Sequence, residues 1–160
     1  MLTQAQVKEL FYYDPETGNL IWRSDRGKNK MTGKIAGGLD NYGYLKIGID
    51  GIRYKAHRLI WLYIYGVWPV EDIDHINGVK SDNRLINLRE ATAAQNGQNM
   101  RKPNTRNTSG YLGVTAFRGG WKAQIMVNKK NCYIGCYDTP EAAHEAYLEK
   151  KRELHEFNTL

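Results

Sequence analysis

Apolar and polar residues alternate over residues 45–56, and this alternation predicts a β-hairpin. Apolar side chains stand at every second position from 45 to 49 and again from 52, and Asp50-Gly51 supplies the turn. Successive side chains of a strand point to opposite faces, so one apolar face lies on a core. Residues 57–65 are too apolar for a surface strand, and Gly66 follows them where helices commonly end. We therefore predict a hairpin followed by a short buried helix.

Two elements are predicted before this hairpin. Thr3 can cap a short helix over residues 4–10, and residues 20–22 are typical of a strand after a turn at 14–18. Residues 23–34 are basic and poor in apolar side chains. They form either a solvated loop or a loop that contacts phosphate groups, and we favour the second interpretation.

The stretch over residues 72–99 predicts two short strands and a helix. A strand at 73–76 carries Asp74 and His75, and a polar, turn-rich loop follows it. Apolar residues resume at 85–88, where we predict a second strand that carries Asn87. Thr92 stands as the N-cap of a helix that contains Asn96.

The last third predicts three strands and one helix. The strand patterns cover residues 111–117, 121–127 and 132–137, with a turn expected at 129–131. Thr139 caps the helix with Pro140 at its first position, and the stem of Lys150 is expected to cover the edge of its apolar stripe. The helical residues His144 and His155 are expected to be solvated.

The predicted fold class is α+β, with two domains. Residues 99–109 are polar, basic and interrupted by Pro103, which is typical of a linker. We assign residues 1–102 to a β-rich N-terminal domain, 103–108 to the linker, and 109–160 to a three-stranded sheet packed on one helix.

Charge and composition narrow the range of partners. The net charge is +6, and residues 1–70 and 101–160 each hold ten Lys and Arg against six Asp and Glu, whereas 71–100 hold three against five. This distribution favours a polyanionic partner that binds to the two basic flanks, with a cation bound at the acidic centre between them. No apolar run approaches the roughly 20 residues of a membrane span, and the N-terminus lacks a signal-peptide core. Two cysteines form no disulfide framework or zinc quartet, so a reduced, cytoplasmic setting is expected.

The residue types over 72–99 suit hydrolysis of a phosphodiester. A histidine with a near-neutral pKa can take a proton from water, and Asp and Asn oxygens suit Mg²⁺ or Mn²⁺. Each of these residues alone would be an ordinary loop or turn residue. The whole ordered set is much harder to explain in that way.

This set resembles the HNH (ββα-metal) nuclease motif in its phage and homing-endonuclease branch. The resemblance implies that His75 is the general base, that Asn87 ties the hairpin together within the catalytic set, and that Asp74 and Asn96 bind one divalent metal. A third metal position found in some members falls at Met100, which is a poor ligand for a hard cation. The site therefore resembles the two-ligand version of the motif.

The C-terminal region, with SGYLGV, WKAQI, YIGCYDTPEAAHEAY and LHEFN, resembles the AP2 DNA-binding domain over most of 108–158. In that family the sheet face away from the helix enters the major groove. Mapped onto this sequence, that face comprises Thr115, Phe117, Lys122, Gln124, Met126, Asn131 and Tyr133. Further DNA contacts are expected from five basic residues: Arg58, Arg84, Arg89, Arg101 and Lys102.

These observations together predict a DNA endonuclease of a phage or mobile element. It would nick double-stranded DNA at preferred sites with one Mg²⁺ or Mn²⁺, as a monomer with no membrane or small-molecule partner. The alternative is a non-catalytic, sequence-specific DNA-binding regulator that retains the HNH hairpin only as structure.

Overall fold

The structure, a computed structural model, describes residues 1–160 and has a mixed α and β architecture of four α-helices and small antiparallel sheets. The chain divides into two compact units, Met1–Ala93 and Ala94–Leu160. None of the helices is both long and apolar enough to cross a membrane. The assignment of domains to residues 1–102 and 109–160 around a linker stays a prediction.

The first unit is built from short elements, of which two strands, at Phe11–Asp14 and Gly38–Leu39, were not predicted. They are α1 (Gln4–Leu10), β1 (Phe11–Asp14), β2 (Asn19–Trp22), β3 (Gly38–Leu39), β4 (Leu45–Ile49), β5 (Ile52–Lys55), α2 (Ala56–Tyr65), β6 (Asp72–His75) and β7 (Leu88–Ala91). Strands β1 and β2 pair, as do β6 and β7, and β3, β4 and β5 form a three-stranded sheet.

In this unit the structure confirms the predicted beginning of α1 and the predicted end of α2. The Thr3 hydroxyl accepts a hydrogen bond from the Gln6 amide, and the Gln6 side chain returns a bond to Thr3, so α1 begins with a capping box. Helix α2 ends at Gly66, whose φ of 78° gives the left-handed cap that favours glycine. The fully buried Leu59 and Ile60 of α2 join Phe11, Leu20 and Ile47 in one apolar core.

The predicted second strand of the 72–99 stretch begins later than expected. Residues Leu85–Asn87 form a 3₁₀ turn, and β7 begins only at Leu88. The Asn87 amide donates to the Arg84 carbonyl at 2.8 Å, which closes the turn. Asn87 therefore lies before the strand, and placing it on the strand was wrong. Helix α3 (Ala93–Gln98) begins directly after Thr92, as predicted.

The second unit contains a three-stranded sheet and a long helix. Its elements are β8 (Val114–Phe117), β9 (Gly120–Val127), β10 (Lys130–Tyr137) and α4 (Pro140–Leu154), with the strand order β10, β9, β8. Thr139 caps α4 by accepting from the Ala142 amide, and Pro140 stands in its first turn, as predicted. The core includes Val114, Ala123 and Ile125 of the sheet and Ala143 and Tyr147 of the helix.

Two strand boundaries in this unit differ from the prediction. Strand β8 begins at Val114 rather than 111, because Gly113 turns the backbone with a φ of 72° and lies close to the Tyr147 ring. The turn before β10 uses Asn128 and Lys129, both at positive φ, and β10 begins at Lys130. Two consecutive left-handed residues match the twist of a tight hairpin.

Three side-chain predictions for α4 were wrong. The structure buries Lys151 rather than the stem of Lys150, and the Lys151 ammonium donates to the Met100 carbonyl at 2.7 Å. Burial lowers the pKa of Lys151 to about 8. His155 is buried with Nε2 2.9 Å from the Met126 carbonyl, and His144 is half-buried with Nδ1 3.0 Å from the Leu112 carbonyl. Helical spacing did not predict the backbone carbonyls that hold these groups.

Gly18→Ala should destabilise the first unit by about 2 kcal/mol or more. Gly18 has a φ of 74°, and a Cβ there would lie 2.3 Å from the backbone nitrogen of Arg84. Gly27→Ala is the matched control, because Gly27 has a φ of 59° with nothing near its Cβ position, so only the backbone strain of about 1 kcal/mol applies. Urea denaturation of both variants measures the difference. Equal losses of stability would contradict a close approach at Gly18.

Candidate functional site

The β6–β7 pair places Asp74 and His75 on one short hairpin, Asn87 lies in the turn before β7, and Asn96 lies separately on α3. Asp74 pairs with Arg89 and His75 pairs with Leu88 in the antiparallel register. Asp74 and His75 are only 6% and 4% exposed, although both are polar. Buried polar groups require partners, so the contacts of these two side chains define the site.

The loop between the strands is held by side chains that bond to its own backbone. Asn87 Oδ1 accepts from the Asn77 amide at 2.9 Å, and Asn87 Nδ2 donates to the Asp82 carbonyl at 2.7 Å. The Asn77 side chain also donates to the Asp82 carboxylate at 2.7 Å. Asn87 thus bridges the beginning and the end of the loop. Its membership of the catalytic set stays a prediction.

His75 has a buried hydrogen-bond partner that the sequence did not reveal. Its Nε2 lies 3.0 Å from Oδ1 of Asn83, a residue that is 1% exposed. The Asn83 amide nitrogen donates to the Ser81 carbonyl at 3.3 Å, which fixes the orientation of the amide. Asn83 Oδ1 therefore faces His75 as an acceptor. The neutral imidazole must carry its proton on Nε2, which leaves the basic lone pair on Nδ1.

The β1–β2 hairpin supports Asn83 from the other side. The Tyr13 hydroxyl donates to the Asn83 carbonyl at 3.3 Å and accepts from the Leu85 amide at 2.9 Å. Gly18 lies against the backbone of Asn83 and Arg84, where a larger residue has no room. A residue 70 positions earlier in the chain thereby fixes the loop that orients His75.

An aromatic cluster surrounds the His75 ring. The His57 and Tyr44 rings lie with centroids 5.1 Å and 6.0 Å from it, and they lie 5.5 Å from each other. Burial lowers the pKa of His75, although the Asn83 hydrogen bond and the Asp74 carboxylate oppose that shift. Burial lowers the pKa of His57 to about 3, with the neighbouring His75 adding to the effect. Both rings are therefore neutral at neutral pH.

His57 and Tyr44 each bring a polar group to this cluster. His57 is 2% exposed, and its buried Nδ1 has no hydrogen-bond partner. Burial raises the pKa of the Tyr44 hydroxyl, and the carboxylates of Asp72, Asp74 and Asp40 raise it further. The site is thus a partly desolvated cluster with acidic groups beside it.

Asp74 is engaged by an arginine in the structure. The Arg89 Nε and Nη2 atoms both donate to Asp74 Oδ2, at 3.0 Å and 2.8 Å. The chemistry of Asp74 still fits a hard divalent cation, since a carboxylate oxygen is a preferred ligand for Mg²⁺. The amide oxygen of Asn96, which is half-buried on α3, is a weaker ligand of the same hard class. The assignment of these two residues to a metal stays a prediction.

Two other arginines predicted to contact DNA bond within the first unit. Arg84 forms a bidentate ion pair with Asp82, at 2.8 Å and 2.6 Å, and this pairing lowers the pKa of Asp82 to about 2. Arg58 donates to the carbonyls of Glu71 and Pro69. Their guanidinium groups can reach a phosphate only by sharing or giving up these contacts.

The sheet residues of the second unit that are predicted to contact DNA share one side of the sheet. They lie on the side of the sheet away from the buried Val114, Ala123 and Ile125, with Thr115 opposite Lys122 and Tyr133 opposite Gln124. Exposed apolar side chains stand among polar ones on this face: Phe117, Met126 and Tyr133. Asn131 pairs with Met126 on the same face. Arg101 and Lys102, from the predicted linker, are exposed, and Arg101 donates to Thr159.

The comparison with known families agrees with the hairpin chemistry. Residues 54–98 match the family model described as HNH endonuclease, a segment that begins inside β5 and ends with α3. It contains all four motif residues, Asp74, His75, Asn87 and Asn96. No curated protein and no solved structure matches the chain. The match supports an HNH nuclease, and thus a general role in cutting DNA.

Two substitutions at Asn83 should change His75, the candidate general base, in different ways. Asn83→Leu removes the acceptor that sets the tautomer, so the nicking rate should fall about tenfold or more. Asn83→Asp places a carboxylate beside Nε2, which favours the imidazolium and raises the pKa of His75. Because a general base must be neutral, the acidic limb of the pH–rate profile should move to higher pH.

Nitrogen-15 NMR of histidine-labelled protein reads the tautomer directly. Wild-type His75 should show the proton on Nε2, Asn83→Leu should show a mixture, and the signals of His144 in the second unit should not change. An unchanged His75 spectrum in both variants would remove Asn83 from the site.

Proposed function

We propose that this protein is a DNA endonuclease that hydrolyses phosphodiester bonds with His75 as the general base. The observation that carries the proposal is the buried, neutral His75 whose Nε2 is held by Asn83 on the hairpin that matches the HNH endonuclease model. Nδ1 of His75 takes the proton from the attacking water. The Asp74 carboxylate and the Asn83 oxygen then stabilise the imidazolium that forms.

A single divalent cation, Mg²⁺ or Mn²⁺, completes the proposed site. Asp74 and Asn96 would hold it, and when bound it supplies positive charge at the leaving oxygen. The two hydrogen bonds from Arg89 to Asp74 Oδ2 hold the carboxylate in a fixed rotamer. Arg89 also places a positive charge beside the proposed metal ligand Asp74, which suits its proposed role as a DNA contact.

The second unit is proposed as an AP2-like reader of double-stranded DNA. Its sheet face combines Lys122 with the exposed Phe117 and Tyr133, which suits groove contacts together with phosphate contacts. We further propose a monomeric nickase of phage or mobile-element type that acts in the host cytoplasm. One motif supplies one base, so each encounter should cut one strand.

His75→Ala should lower the nicking rate by about 10²–10⁴-fold with little change in DNA affinity. The ring acts on water in the transition state and makes few contacts with bound DNA. Conversion of supercoiled to open-circle plasmid with Mg²⁺ measures the rate, and anisotropy with a labelled duplex in EDTA measures the affinity. Wild-type protein that binds the duplex but never nicks would instead support the alternative, a DNA-binding regulator.

Asp74→Ala should raise the Mg²⁺ concentration for half-maximal nicking more than Asn96→Ala does. A carboxylate brings a full negative charge to the cation, whereas an amide offers only a dipole. Asp72→Ala is a matched control, because Asp72 is an exposed carboxylate on the same strand that has no proposed ligand role. Mg²⁺ titrations of the three variants decide the ranking. Equal shifts for Asp74→Ala and Asp72→Ala would argue against Asp74 as a ligand.

A further inference from the structure

Two lysines meet over one tyrosine ring beside the candidate base. The Lys55 and Lys80 ammonium groups lie 4.6 Å and 4.8 Å from the centroid of the Tyr44 ring. Lys80 also donates to the Tyr42 carbonyl at 3.2 Å, which holds its side chain in place. Both distances are within the range of a cation–π contact. Two like charges therefore share one aromatic platform.

Neither lysine has a carboxylate within ion-pair distance. Lys55 and Lys80 form no ion pair, whereas other cations of this unit do: Arg26 with Asp50, Lys46 with Asp40, Arg84 with Asp82 and Arg89 with Asp74. Lys55 immediately precedes α2, whose first turn contains no acidic residue. A cation at that end of a helix opposes the helix dipole, so this arrangement is unfavourable without an anion.

The lysine pair adjoins the proposed reaction centre. The Tyr44 ring lies 6.0 Å from the His75 ring, and the Lys55 charge acts on both His75 and His57. The pair comes from two separated parts of the unit, the end of β5 and the β6–β7 loop. Folding thus brings two lysines that form no ion pair to the Tyr44 ring next to the candidate base, whereas the carboxylates of Asp72, Asp74 and Asp40 act on the Tyr44 hydroxyl.

We propose that Lys55 and Lys80, positioned by Tyr44, bind a backbone phosphate of the DNA strand next to the one that is cut. This inference rests on the proposed nuclease function and adds a phosphate site to it. Lysine ammonium groups bind phosphate oxygens as point charges and carry no base preference. The site therefore sets the register of the strand at His75 and contributes affinity rather than specificity.

Salt-dependent binding measures the proposed contacts directly. Affinity for a labelled duplex is measured against NaCl concentration for Lys55→Gln, Lys80→Gln and the double variant, all in full-length His75→Ala protein. Neutralising one phosphate contributes about 0.9 to the magnitude of the slope of log K against log[salt], so the double variant should lose about 0.9 and each single variant a part of it. Lys55→Arg and Lys80→Arg, which keep the charge, should retain the slope.

Lys8→Gln is the matched control. Lys8 also places its ammonium over a tyrosine ring, 5.5 Å from the centroid of Tyr63, but on α1 and away from the His75 cluster. Its removal should leave the slope unchanged. Thermal unfolding of every variant shows whether the fold is kept, which is expected for these partly exposed side chains.

The outcomes separate this site from the nuclease proposal. If wild-type protein nicks plasmid but the double variant keeps the full slope, the phosphate site is wrong and the nuclease stands. If wild-type protein never nicks but the double variant shows the smaller slope of log K against log[salt], the phosphate site is supported and the protein binds DNA without cutting it. Equal slope losses in Lys8→Gln and the double variant would contradict a specific site over Tyr44.

Discussion

The hydrogen bond between His75 and the buried Asn83 is the contact on which the rest of the candidate site depends. The Ser81 carbonyl accepts a hydrogen bond from the Asn83 side chain, and the Tyr13 hydroxyl and the closely packed Gly18 hold the Asn83 backbone. The bond then selects one tautomer of the imidazole. The orientation of His75 therefore depends on the hairpin β1–β2, which packs in the apolar core of the first unit.

Burial and pairing divide the charges of the first unit into two groups. Asp82 and Asp74 are neutralised by Arg84 and Arg89 within the structure, and these pairs stiffen the loop and the strand. Lys55 and Lys80 stay without carboxylate partners around Tyr44. Two lysines without ion pairs beside a desolvated histidine repel each other, and a substrate phosphate bound between them would offset that repulsion.

The two units carry different chemistry. The first holds the Asp74 carboxylate and the His75 imidazole on a short hairpin, where position within a fraction of an ångström matters for catalysis. The second offers a sheet face of mixed apolar and polar side chains, which suits contact over a larger area. Such a division is consistent with cutting by one unit and reading by the other, which remains our proposal for the second unit.

The sequence by itself determined the elements and the identity of the hairpin residues, because capping, alternation and turn chemistry act over a few residues. Two helices begin at the caps Thr3 and Thr139, and one ends at Gly66, where local rules place them. Asp74 and His75 lie on the predicted strand. Tertiary structure decided the rest. Asn83, His57 and Tyr44 come from three separate segments, and Lys151 and His155 bond to carbonyls distant in sequence. No local pattern encodes such partners, since they are chosen by which surfaces the folded core brings within hydrogen-bonding distance.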